Sequence, residues 1–344
     1  MIKLPFLRFF FSFFLFVILE LVIWDRSMLL EGSPIFSLSY YARSLFIILI
    51  AVCFVYDLGA FDNKKGFFEP ITKIGWFSAI SSVIICVVIL SILVYDVGKF
   101  SKFSLEDGWV EYGSAVFSFL SSFILFFTFL RVYKVDNWIV KLSILGMSGA
   151  FFILAMEEIS WFQRILKFET PELMQGNIQN EINFHNYGTN FIENAYYFGV
   201  FVLLSVIPLI YIYKPELFKN LNVEFLVPGS GLILIGCIVT GLNYDMWNVF
   251  FMQFMFYLSI MILILFFLKS KASHEKLLLI ITICIIISSQ LLFFYKGQFF
   301  IRPWEPTEYR ELILPLGLFF YAMQLYGRSL NLNYFQKLKI KSKN

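Results

Sequence analysis

The sequence predicts an all-α fold: a polytopic transmembrane helix bundle of about ten helices, with both termini cytoplasmic. Three observations predict it. Hydrophobic residues make up 59% of the 344 and charged residues only 15%, whereas roughly a quarter of a soluble domain is charged. Apolar runs near the ~20 residues that a bilayer helix needs recur along the whole chain. The connections between those runs alternate in charge. No internal repeat, low-complexity linker or soluble domain interrupts the pattern, so residues 1–344 read as one integral membrane domain.

The first run, 5–24, follows Lys3 and contains Arg8, after which FFFSFFLFVILELVIW continues. It is long for a signal peptide and no small-x-small cleavage site follows, so it reads as an uncleaved first helix. Further runs cover 41–56, 74–95, 109–130, 138–156, 191–213, 225–243, 247–268, 277–295 and 309–327. Only Asn243 to Met246 separates the seventh from the eighth, which predicts a tight hairpin. The longest interruption, 157–190, reads as an external interfacial segment between helices five and six.

The charges orient the bundle. With the N-terminus inside and ten alternating helices, 18 of the 27 basic residues fall in cytoplasmic connections and tails, as the positive-inside rule requires. Of the 24 acidic residues, 16 fall outside, seven inside, and Glu20 lies within the first helix. The net charge of +3 says little beside this placement, and no basic patch suggests nucleic acid. Cys53, Cys86, Cys237 and Cys284 each sit inside an apolar run without a CxxC, and read as small apolar residues.

Four polar constellations land on the external side. Asp107 and Glu111 are four residues apart at the start of the fourth helix. Like charges one turn apart repel unless a cation or a proton relieves them, which makes the pair a candidate metal site; the ordinary alternative is a pair of dipole-favouring acids. Next come Glu157 and Glu158. On a continuing helix Glu157, Trp161 and Arg164 would share a face, leaving Glu158 without a local cation. Thr170 and Pro171 then read as a new helix start, within a stretch suited to a short interfacial helix. Third, Glu181 precedes His185 by four residues, a spacing that lets a carboxylate orient an imidazole or share a metal with it. Without HExxH or a second nearby histidine, a zinc-peptidase site is not indicated. Fourth, Arg302 and Arg310 flank the acids Glu305 and Glu308 before the last helix, and are the candidates for gripping a phosphate or carboxylate.

The stretches EDGWVEYG, EEISWFQRILKFETPE and NEINFHN resemble a group of bacterial multi-pass membrane proteins that carry an EEISW-x-QR signature and an EIN-x-HN element. That group has no assigned activity, so the resemblance implies placement in a bacterial inner membrane and names no reaction. Asp107-Gly108-Trp109-Val110-Glu111 is also similar to the acidic-Trp-acidic stretch of the alkaline ceramidase superfamily. This chain departs from it in having two histidines in all, so three-histidine zinc ligation is impossible.

The resulting expectation is an outward-facing site on membrane lipids. Glu157, Glu158 and His185 are the candidate catalytic residues. Trp161, Arg164, Arg302 and Arg310 are the candidates for binding a lipid-linked or phosphate-bearing substrate. Asp107, Glu111 and Glu181 are the candidate ligands of a divalent cation, the one cofactor this chemistry suggests. An enzyme acting on a lipid or lipid-linked glycan would keep its acids on one face. A proton- or cation-coupled transporter would spread them through the bilayer depth. A non-catalytic partner in envelope biosynthesis is the third reading.

Overall fold

The computed structural model describes residues 6–24, 26–30, 32–62, 70–105, 108–133, 137–172, 182–183 and 189–330, without the side chains of Leu30, Arg164, Ile165, Thr189 and Asn190. Every regular element among them is a helix. In chain order the main ones are α1 (Leu7–Val22), α2 (Leu38–Leu58), α3 (Lys73–Tyr95), α4 (Val97–Phe103), α5 (Trp109–Val132) and α6 (Trp138–Glu158). They are followed by α7 (Phe191–Tyr213), α8 (Leu232–Gly241), α9 (Phe250–Lys269), α10 (Ser273–Lys296) and α11 (Glu305–Leu330). Seven helices, α2, α3, α5, α6, α7, α9 and α10, are long and apolar enough to cross a membrane. The chain is therefore a multi-pass helical membrane protein.

All ten apolar runs contain helix, but three fall short of those criteria for physical reasons. Helix α1 is only 16 residues long. Helix α8 covers ten residues, with a more open segment before it. Helix α11 has length enough at 26 residues, but polar and charged residues at both its ends, Glu305, Glu308, Arg310 and Glu311 at one and Gln324 and Arg328 at the other, keep its hydropathy low.

Contacts between helix ends divide the bundle into two poles. At the first, Arg310 Nε donates to Leu242 O at 2.8 Å, Tyr309 donates to Phe100 O at 2.6 Å, and Asn248 Nδ2 reaches Ser33 O at 2.7 Å. At the second, Arg328 Nη1 donates to Phe225 O and Val227 O at 2.7 and 2.6 Å. There too, Arg8 pairs with Asp57 at 2.8 Å, and Asn137 Nδ2 donates to Asn222 O at 2.8 Å. From Arg310 to Arg328, α11 rises roughly 27 Å. The segment from Phe225 to Leu242 therefore runs between the same poles, although its helix is short.

Close packing follows the rules of lipid-embedded helices, in which small residues let backbones approach. A Cβ on Gly231 would lie 2.5 Å from Gly75 Cα, so α3 meets the chain entering α8 only because both positions are glycine. Helices α5 and α6 are clasped by a reciprocal serine pair: Ser122 Oγ donates to Ser148 O at 2.8 Å, and Ser148 Oγ to Ser122 O at 2.9 Å. The one acid deep in an apolar run, Glu20, is fully buried and pairs with Arg43 of α2 at 3.6 Å. Trp24 and Tyr40 sandwich that guanidinium at 4.9 and 4.8 Å. Cys86 and Cys237 are buried as expected, whereas Cys284 faces outward from α10.

Candidate functional site

The α5–α6 clasp sets the geometry of the first pole. The two helices are antiparallel, with Ser122 opposite Ser148. Glu111 lies roughly 16 Å from Ser122 along α5, and Glu158 roughly 15 Å from Ser148 along α6, in the same direction. The two carboxylates thus arrive at one level. Helix α11 closes against α5 at that level, where a Cβ on Gly113 would meet Leu312 Cδ1 at 2.7 Å. The result is a carboxylate cluster: the charged groups acting most strongly on Glu158 are Glu311, Glu111 and Glu308, and the Ser114 hydroxyl sits beside it.

Helix α7 adds the next layer. Tyr197 is fully buried and its hydroxyl contacts both Glu311 Oε1 and, at 3.3 Å, Glu193 Oε2. The Arg310 guanidinium lies 4.8 Å from the centre of the Tyr197 ring. Its Nε and Nη2 both donate to Leu242 O, and its Nη1 lies 3.2 Å from Met252 Sδ. Tyr197 and Arg310 also line a cavity of about 10 Å³, with Thr240, Met252 and Leu314 in its wall. Asp245, in the connection before α9, accepts from Thr307 Oγ1 at 3.0 Å. Burial raises the Asp245 carboxyl above the ordinary aspartate range, against the opposing pull of Thr307 and Arg310.

The expected helix through Glu157, Trp161 and Arg164 does not form. Helix α6 ends at Glu158, and Ser160, Trp161 and Phe162 take left-handed backbone angles, with φ of 45°, 52° and 65°. The reversal turns the Trp161 indole back onto the helix end, where Nε1 donates to Glu157 Oε1 at 2.7 Å. Glu157, only 8% exposed, is thus met by a neutral donor in a turn. The chain resumes one helical turn, Gln163–Leu166, then leaves it at Lys167, whose φ is 56°. So residues 167–171 are not helical; Glu172 is in a 3-10 turn, and the continuation of the start expected at Thr170 and Pro171 lies outside the described residues. Gln163 holds this strap instead: its Nε2 donates to Thr170 Oγ1 and its Oε1 accepts from Ile182 N, both at 2.7 Å.

Of the residues singled out by sequence, Glu111, Glu157, Glu158, Trp161, Arg302 and Arg310 lie at the first pole. Glu111 and Glu158 share the carboxylate cluster. Arg310 is 2% exposed and locked within the packing. Arg302 turns toward α4, where its Nη2 donates to Ser104 O at 2.7 Å and its amide to Glu305 Oε1 at 3.1 Å. Asp107, Glu181, His185 and the Arg164 side chain lie outside the described residues. Among the described residues no three His, Cys, Asp or Glu side chains form a group able to hold a metal ion.

Sequence reasoning missed Glu193 and Tyr197, and left Glu308 and Glu311 of the fourth constellation out of the candidate site. The spacing of Glu193 and Tyr197, one turn apart within an apolar run, was a usable signal. Glu308 lies in the first turn of α11 and Glu311 in the turn after it, near a helix N-terminus, where acids are ordinary. The fold and this pole define a helical membrane protein with a buried acidic cluster at one end. No family model, curated protein or solved structure matches the chain.

Proposed function

We propose that the chain crosses a bacterial plasma membrane ten times with both termini in the cytoplasm. The carboxylates of its external pole then perform acid–base chemistry on a lipid or lipid-linked glycan of the outer leaflet. The observation that carries this reading is the convergence of Glu111, Glu158, Glu308 and Glu311 from three helices at one pole. Buried carboxylates are costly in a bilayer and mark function when they gather in the protein interior. Paired acids in unlike surroundings suit opposite proton-transfer roles, and the neighbours Glu157 and Glu158 differ in this way. The first accepts from an indole, while the second faces other acids.

Two observations support the orientation. The segment 225–242 joins the same two poles as α11, which makes its shortness compatible with a crossing. Basic residues of the helix ends, among them Arg8, Lys73, Arg131, Lys214, Lys269 and Arg328, gather at the second pole. A transporter would need acids along the crossing. The described acids of the second half, Asp57, Asp62, Glu216, Glu224 and Glu275, all sit at helix ends or in connections.

The test compares the lipid extract of cells carrying the wild-type chain with that of cells carrying Glu158→Gln at equal expression. A lipid species that accumulates in the variant as in a deletion supports the reading. A variant that restores the wild-type lipid profile removes Glu158 from it.

A further inference from the structure

The contact between Tyr197 and two carboxyl groups has a consequence for charge. A phenol carries one proton, and a carboxylate carries none. Tyr197 can donate to Glu311 or to Glu193, but not fully to both. For both contacts to be hydrogen bonds, one of the two carboxyl groups must carry its own proton and donate it to the phenol oxygen. The surroundings press the same way: the Glu158, Glu308 and Asp245 carboxyl groups bear on the pair, Glu111 bears on Glu158 and Glu308, and Arg310 and Arg302 are the cations set against them.

We infer that Glu193, Tyr197 and Glu311 form a proton-holding relay, which stores one proton between α7 and α11 and can pass it toward Glu158. The transfer balances without charging the tyrosine. The O–H bond of the Glu193 carboxyl breaks as its proton moves to the phenol oxygen. At the same time the phenol O–H breaks and that proton joins a Glu311 oxygen. One proton has then moved from α7 to α11, and the phenol is neutral before and after. The relay has a terminus as well. Ser114 is 1% exposed and its hydroxyl sits beside the Glu158 carboxyl. The relay deepens the acid–base reading of the previous section, because that reading is what gives the stored proton a use.

Infrared spectroscopy tests the relay without reference to any substrate. The probe is the purified protein in lipid nanodiscs at neutral pH, with carbon-13 in its glutamate carboxyl groups. The wild type should show the carbonyl stretch of protonated glutamic acid. Glu193→Gln should remove the intensity of one carboxyl group, and Glu311→Gln should do the same. Tyr197→Phe should shift the band, because the phenol no longer accepts from the acid. A wild-type spectrum without a protonated-glutamate band overturns the inference. So does a band whose intensity survives both glutamine variants, or whose position survives Tyr197→Phe. The lipid profile of Glu158→Gln cells is read separately, so failure of the relay and failure of the proposed activity are distinguishable.

Discussion

Arg310→Lys separates a clasp from a ligand grip. In the structure Arg310 ties the 242–249 connection to α11. Two of its nitrogens donate to Leu242 O, a third meets Met252 Sδ at 3.2 Å, and its plane lies 4.8 Å from the Tyr197 ring centre. Lysine keeps the charge but loses the planar fork. A charge-assisted hydrogen bond contributes about 1.5–3 kcal/mol, and a desolvated cation–ring contact about 1 kcal/mol or more. Part of the first is recovered by the ammonium, so the expected net loss is roughly 2–4 kcal/mol. Equilibrium denaturant titration in mixed micelles, followed by tryptophan fluorescence, reads that loss as a lower midpoint at unchanged slope. A variant within about 1 kcal/mol of wild type that nonetheless fails to support the cell would refute the clasp.

Three other outcomes are expected. Glu20→Gln leaves the buried Arg43 without its carboxylate and should cost about 3–5 kcal/mol, whereas replacing both partners with Leu and Met should cost far less; melting curves of the two proteins should differ accordingly. Trp161→Phe removes the indole donor to the nearly buried Glu157 and should destabilise by about 1–3 kcal/mol, while a variant as stable as wild type would show the turn needs no such bond. Asp245 binds its proton more readily folded than unfolded, so between the ordinary aspartate value and its raised folded value stability should fall as pH rises. Asp245→Asn should flatten that slope, and an unchanged slope would assign it to another group.

The membrane architecture was legible because hydrocarbon thickness fixes helix length, and all ten apolar runs do contain helix. What the runs could not convey was backbone continuity. The chain of 225–243 satisfies itself through α11, with Gly229 N donating to Gln324 Oε1 at 2.8 Å and Tyr321 to Leu226 O at 2.6 Å. Such partners are distant in sequence and leave no local trace. The turn at Ser160 to Phe162 was illegible for a similar reason. Left-handed angles normally announce themselves through Gly or Asn, and here three other residue types adopt them, with the Trp161–Glu157 bond holding the turn. At the site, Glu158 could be picked out as an acid with no local cation, and Glu111 as an acid one turn from the like charge Asp107. Their meeting depends on the Ser122–Ser148 clasp, which no spacing rule reveals. Tyr197 left only its spacing from Glu193 as a trace, and its contact with Glu311 depends on how α7 packs against α11.

The central claim is that acids from separate helices share one site, and a double-mutant cycle on Glu111→Gln and Glu158→Gln measures it most directly. Residues in one electrostatic cluster couple by about 0.5–3 kcal/mol, whereas distant ones add within about 0.3–0.5 kcal/mol. The structure predicts that neutralising either acid relieves the other, so the double variant should gain less stability than the two single gains together. Strict additivity at neutral pH and low salt would place Glu111 and Glu158 apart and contradict the account.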